Sequence, residues 1–99
     1  MRTLYIDLQE GFNNDTVIIL VNGEEIFRKD GVQTKLLLGF SETLSVPVST
    51  GEVELKIQVP SRSLDDEFKF TIQKNLYVGI SITDLGIETI VTDAPFMYQ

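Results

Sequence analysis

Alternation with a period of two constrains this chain more than any other feature. In Glu52 to Val59, the apolar Val53, Leu55, Ile57 and Val59 alternate with Glu52, Glu54, Lys56 and Gln58. Only a strand with one wet face and one buried face has that period, because successive side chains of a strand point to opposite sides. The scheme recurs with Phe68, Phe70 and Ile72 against Glu67, Lys69, Thr71 and Gln73, and with Leu76, Val78, Ile80 and Ile82 against Tyr77, Gly79, Ser81 and Thr83. Leu4, Ile6 and Leu8 form an inward set near the start. Leu44, Val46 and Val48 form another, and Pro47 among them predicts an edge strand, since proline cannot donate to a ladder.

Turn signals separate these runs. Asn22-Gly23 is the strongest, because both residues tolerate the positive φ of a two-residue type I′ turn. Asp30-Gly31, Thr50-Gly51 and Asp84-Leu85-Gly86 read as further turns, and no segment carries apolar residues at helical spacing over three turns. Eight or nine short strands in a 99-residue chain must bury their faces against one another. The expected fold is all-β: one domain spanning 1–99, a small antiparallel β-sandwich, with a closed barrel as the alternative.

One hairpin breaks the pattern. Val17 to Val21 are five consecutive apolar residues. With Asn22-Gly23 as the loop, Val21 is expected opposite Glu24, Ile19 opposite Ile26 and Ile18 opposite Phe27. Val17, Ile19, Val21 and Ile26 then share one face, and Ile18, Leu20 and Phe27 the other. The Lys35–Phe40 stretch repeats the anomaly on a smaller scale, with Leu37 expected opposite to Leu36 and Leu38. Phe96, Met97 and Tyr98 follow Asp93-Ala94-Pro95 and need somewhere to dock. Either they fold back over such a doubly apolar face, or Ile18, Leu20, Phe27, Phe96, Met97 and Tyr98 form a surface for a protein partner or a second copy of the chain.

Fifteen acidic against eight basic residues give a formal charge of −7, and no base follows Lys74. Such a balance argues against nucleic acid or an anionic membrane as partner. The chain has no cysteine and no histidine, so thiolate chemistry, disulfides and the usual near-neutral proton shuttle are missing. No apolar run approaches the roughly 20 residues that span a bilayer, and the first residues lack a continuous apolar signal core. A cytoplasmic protein without cofactor or enzymatic activity is expected. The alternative function is a small-ligand module, binding carbohydrate with or without calcium. Its residues would be Tyr5 and Tyr77 on a wet sheet face and two oxygen-rich loops, Asn13-Asn14-Asp15 and Asp65-Asp66-Glu67. Asn and Asp also favour turns for purely local reasons.

Gly11-Phe12, Asp15 to Val17, Val21 to Phe27, Leu38 to Phe40, Tyr77 to Ser81 and Asp93 to Tyr98 together make the chain resemble a group of short bacterial proteins of unknown function. The resemblance implies an immunoglobulin- or transthyretin-like fold and no activity.

Overall fold

The structure, a computed structural model, describes residues 1–98. Eight strands form two four-stranded sheets that pack face to face without closing into a barrel. They are β1 (Arg2–Leu8), β2 (Asp15–Val21), β3 (Glu24–Val32), β4 (Glu42–Val48), β5 (Gly51–Val59), β6 (Leu64–Ile72), β7 (Leu76–Thr83) and β8 (Gly86–Thr92). A single 3-10 turn, Pro60–Arg62, links β5 to β6. The order is β4-β1-β7-β8 in one sheet and β3-β2-β5-β6 in the other. Pairing is antiparallel except between β1 and β7, which run parallel, so the sandwich is mixed and not purely antiparallel.

The alternating runs do what their period requires. Leu4, Ile6, Leu8, Val78 and Ile80 from one sheet meet Val17, Ile19, Val53, Leu55, Ile57 and Val59 from the other, all fully buried. β4 lies at a sheet edge, as Pro47 predicts. β5 and β6 pair so that Glu54 faces Lys69 and Lys56 faces Glu67, the register that opposite charges favour. Asp65 to Glu67 consequently lie on a strand and not in a loop.

Two readings of β3 are corrected. Asn22 and Gly23, at φ 52° and 82°, make the tight turn expected of them. Beyond it, Leu20 pairs with Glu25 but Ile19 with Phe27, so Ile26 is an extra residue and the register slips by one. A slip of one residue exchanges faces. Phe27 therefore shares the inner face with Ile19 and packs half-buried against the core, away from Ile18. Asp30-Gly31 is a second bulge inside the strand, with Gly31 at φ 70°, where a turn was expected.

The first arm, Val17 to Val21, is apolar on both sides because β2 lies between β3 and β5. On its outer side Ile18 sits between Arg28 and Gln58, and Leu20 between Glu25 and Lys56. Long polar side chains cover apolar neighbours with their stems. Ile18 is buried, Leu20 half-buried, and an Arg28–Glu25 ion pair (2.7 Å) lies along the flanking edge. The segment after β8 does not cover this face.

Candidate functional site

The large exposed apolar side chains concentrate at a turn between β3 and β4. Lys35 and Phe40 form an isolated bridge, and the Lys35 carbonyl accepts from the amides of both Leu38 and Gly39 at 2.9 Å. Gly39 closes the turn at φ 80°, a value that a β-branched or bulky residue avoids. A chain folded so tightly cannot alternate its side chains like a strand, which corrects the expectation for Leu37. Leu36 and Leu37 are 93% and 90% exposed, and Leu38 is 46% exposed.

The residues after β8 dock beside this turn, on the outer face of the β4-β1-β7-β8 sheet. Tyr98 anchors them. Its hydroxyl donates to Asp7 Oδ2 at 2.6 Å and accepts from Gln9 Nε2 at 3.1 Å. Its ring lies 4.7 Å from that of Phe40 and passes over Gly39, where an added Cβ would stand 3.3 Å from the ring. Gln9 reaches Tyr98 across Gly79, whose missing side chain leaves the space that Gln9 fills. Lys74 Nζ holds Asp93 at 2.9 Å nearer β8. Phe96 is half-buried, while Met97 is 94% exposed. The leucine turn and the docked segment flank a groove of about 450 Å³. Leu36, Leu38, Ile90 and Met97 contribute apolar side chains, but Gln9, Ser81, Tyr98 and the carboxylates of Glu10 and Glu88 make most of its lining polar, and no basic side chain lines it.

Burial raises the pKa of the Tyr98 phenol, and its bond to Asp7 raises it further, to about 12, against a smaller lowering from Gln9. A raised folded-state value means that the docking energy is present below the ordinary phenol pKa of 10.0 and is lost as the pH rises through about 12. Absorbance titration is expected to show one phenol ionising near pH 12, a step missing from Tyr98→Phe. That variant is expected to lose about 1 to 2 kcal/mol, since it leaves the buried Asp7 carboxylate without its donor.

The six residues expected to share a surface do not share one. Ile18 and Leu20 lie on the outer side of β2, Phe27 faces the core, and Phe96, Met97 and Tyr98 belong to the other sheet. Nor do the ligand residues converge. Tyr5 and Tyr77 are register partners on β1 and β7, and their rings stack at 4.7 Å and 9°, so each spends one face on the other. Asp65 and Asp66 are on β6, in the opposite sheet.

Asp15 is built into a different arrangement. Both of its oxygens receive Arg62, Nε to Oδ1 at 2.9 Å and Nη2 to Oδ2 at 2.8 Å. Ser61 Oγ adds a bond to Oδ1, and the Asn13 amide one to Oδ2, each at 2.8 Å. Burial alone would raise this carboxyl's pKa, but the bonds from Arg62, Asn13 and Ser61 outweigh it and hold the carboxyl below its ordinary value. An arginine in bidentate contact takes the lone pairs a calcium ion would need. Among the described residues, no three acidic side chains gather as a metal site. Among the described residues, no helix is long and apolar enough to cross a membrane.

Neither a protein-family model nor a curated protein matches the chain. Pattern reading flagged the apolar excess of Leu36 to Leu38 but missed that the stretch is a turn, and the signal for that was Gly39, a turn residue directly after three leucines.

Proposed function

We propose that the chain is a non-catalytic protein-interaction module of the cytoplasm, on an immunoglobulin- or transthyretin-like sandwich. Its contact surface is then the leucine turn with Met97, in place of Ile18, Leu20 and Phe27. One observation carries this reading: Leu36, Leu37 and Met97 are each at least 90% exposed, beside a groove that Leu36 and Met97 help to line. Single exposed apolar residues such as Leu85 are ordinary, whereas contiguous apolar surface marks interaction sites. The turn is also braced, by its bridge and by Phe40 against Tyr98, so these leucines lose little freedom when a partner covers them.

A photo-crosslinking residue placed at position 37, and separately at position 52 on the other sheet, tests the reading in cells that make the protein. A discrete crosslinked product from position 37 and none from position 52 is the expected result. No product from position 37, or equal products from both, overturns it.

A further inference from the structure

The two sheets have four edge strands, and three of them carry features that obstruct pairing with another chain. β4 contains Pro47, β3 is kinked by two bulges, and β6 presents Asp65, Asp66, Glu67 and Lys69. β8 has a single charge, Glu88, in seven residues, and its Ile90 and Val91 are 50% and 43% exposed. Among the described residues, no segment other than β7 hydrogen-bonds to the β8 backbone.

We propose that β8 accepts an extended basic segment of a partner protein as a fifth strand of its sheet. This inference rests on the interaction-module reading and adds the partner's chemistry. Strand addition supplies backbone hydrogen bonds along the free edge, and alternate side chains of the guest supply the selectivity. On the outer face those side chains lie opposite Glu88 and Ile90, at the rim of the groove that Glu10, Leu36 and Met97 help to line. A lysine or arginine opposite Glu88, with a large apolar residue two positions away opposite Ile90, complements both. The groove holds no base, and none follows Lys74 in the sequence. A second copy of the chain fits poorly here. A two-fold contact presents the same patch twice, which brings the carboxylates of one copy towards those of the other in a chain of net charge −7.

The probes are two nine-residue peptides with blocked ends, threonine alternating with lysine and valine in one and with glutamate and valine in the other. Titrated into the ¹⁵N-labelled full chain, the lysine peptide is expected to shift the amides of Gly86–Thr92 and to bind at least about tenfold more tightly than the glutamate peptide. Glu88→Lys is expected to weaken the lysine peptide about tenfold at unchanged melting temperature. Should that variant fail to fold, the near-isosteric Glu88→Gln should still weaken binding about threefold. Equal affinity for the two peptides, shifts on the β3 or β6 edge, no β8 shift at millimolar peptide, or a dimer joined through β8 overturns the proposal. A position-37 crosslink obtained alongside any of those results leaves the wider reading standing, so the two fail separately.

Discussion

Arg62→Met is expected to lower the unfolding free energy by about 3 kcal/mol and the melting temperature by about 12 to 24 °C, in a domain of this size. The substitution keeps the apolar stem of the side chain and removes the charged head that holds Asp15. The carboxylate it abandons is buried, its side chain 3% exposed, and retains only Ser61 and the Asn13 amide as donors. Loss of the Arg62 bond to the Gly11 carbonyl adds to the cost. We place the value at the low end for a broken buried pair because Arg62 is 36% exposed, so water already screens part of the interaction. The pH dependence separates this cause from lost packing. Asp15 titrates below its ordinary value of 3.8 when folded, so its contribution is fully present above 3.8 and is lost as the pH falls below that through the lower folded-state value. In Arg62→Met, burial goes unopposed by the guanidinium and the folded-state pKa rises. The deficit relative to the native chain should therefore be widest near neutrality, begin to shrink as the pH falls through the variant's raised value, and go on shrinking below 3.8 as the native chain loses its own contribution. Urea unfolding at about pH 7 and about pH 3 measures it, and an equal deficit at both would mean that Arg62 acts through packing alone.

The same residue shows how far the sequence could be read. Asp15 and Ser61-Arg62 are both visible as turn chemistry, yet nothing in the chain says that a turn before β2 meets the one after β5. Local patterns were legible where the period is strict. The alternation in β5 and β6, together with the charges of Glu54, Lys56, Glu67 and Lys69, was enough to choose a register. Pro47 was enough to place an edge. Bulges were not legible, because a single residue's backbone angle decides whether Ile26 continues the ladder or interrupts it. The apolar anomaly was detected in two places, but the two have opposite outcomes. Ile18 is covered by its position in mid-sheet between long polar side chains, while Leu36 and Leu37 are thrown outward by a turn only six residues long from Lys35 to Phe40. That Phe96, Met97 and Tyr98 need a berth followed from three large side chains in a row, with the chain itself and a partner both open as the place. The destination of Tyr98 did not, because the berth is made by what Gly39 and Gly79 lack.

Glycine is also where fold and site come apart experimentally. Gly11→Ala is expected to cost at least about 3 kcal/mol and to leave little folded protein at 37 °C. Gly11 holds φ 87°, and a Cβ there would collide with the Ile82 carbonyl oxygen. Neither strain has an outlet. The obstacle is backbone in β7, and the Ile82 amide donates to the Glu10 carbonyl at 2.8 Å, which pins the two segments together. Gly79→Ala presents a similar clash on paper, with a Cβ 2.5 Å from Gln9 Oε1, but there the obstacle is the end of a flexible side chain and the backbone has no positive φ. Gln9 can swing aside, so the sandwich should survive with a loss of about 1 kcal/mol, the size of the hydrogen bond that Gln9 gives up. What changes is the berth of Tyr98. With Gln9 displaced, the phenol keeps its burial and its bond to Asp7 but loses the donor that lowers its pKa, so its titration should not fall below about 12. Circular dichroism melts and absorbance titrations of the two variants together test the assignment. A well-folded Gly11→Ala would mean that the approach of the β1–β2 connection to β7 is looser than its geometry requires, and an unfolded Gly79→Ala would mean that the docked segment is part of the fold itself.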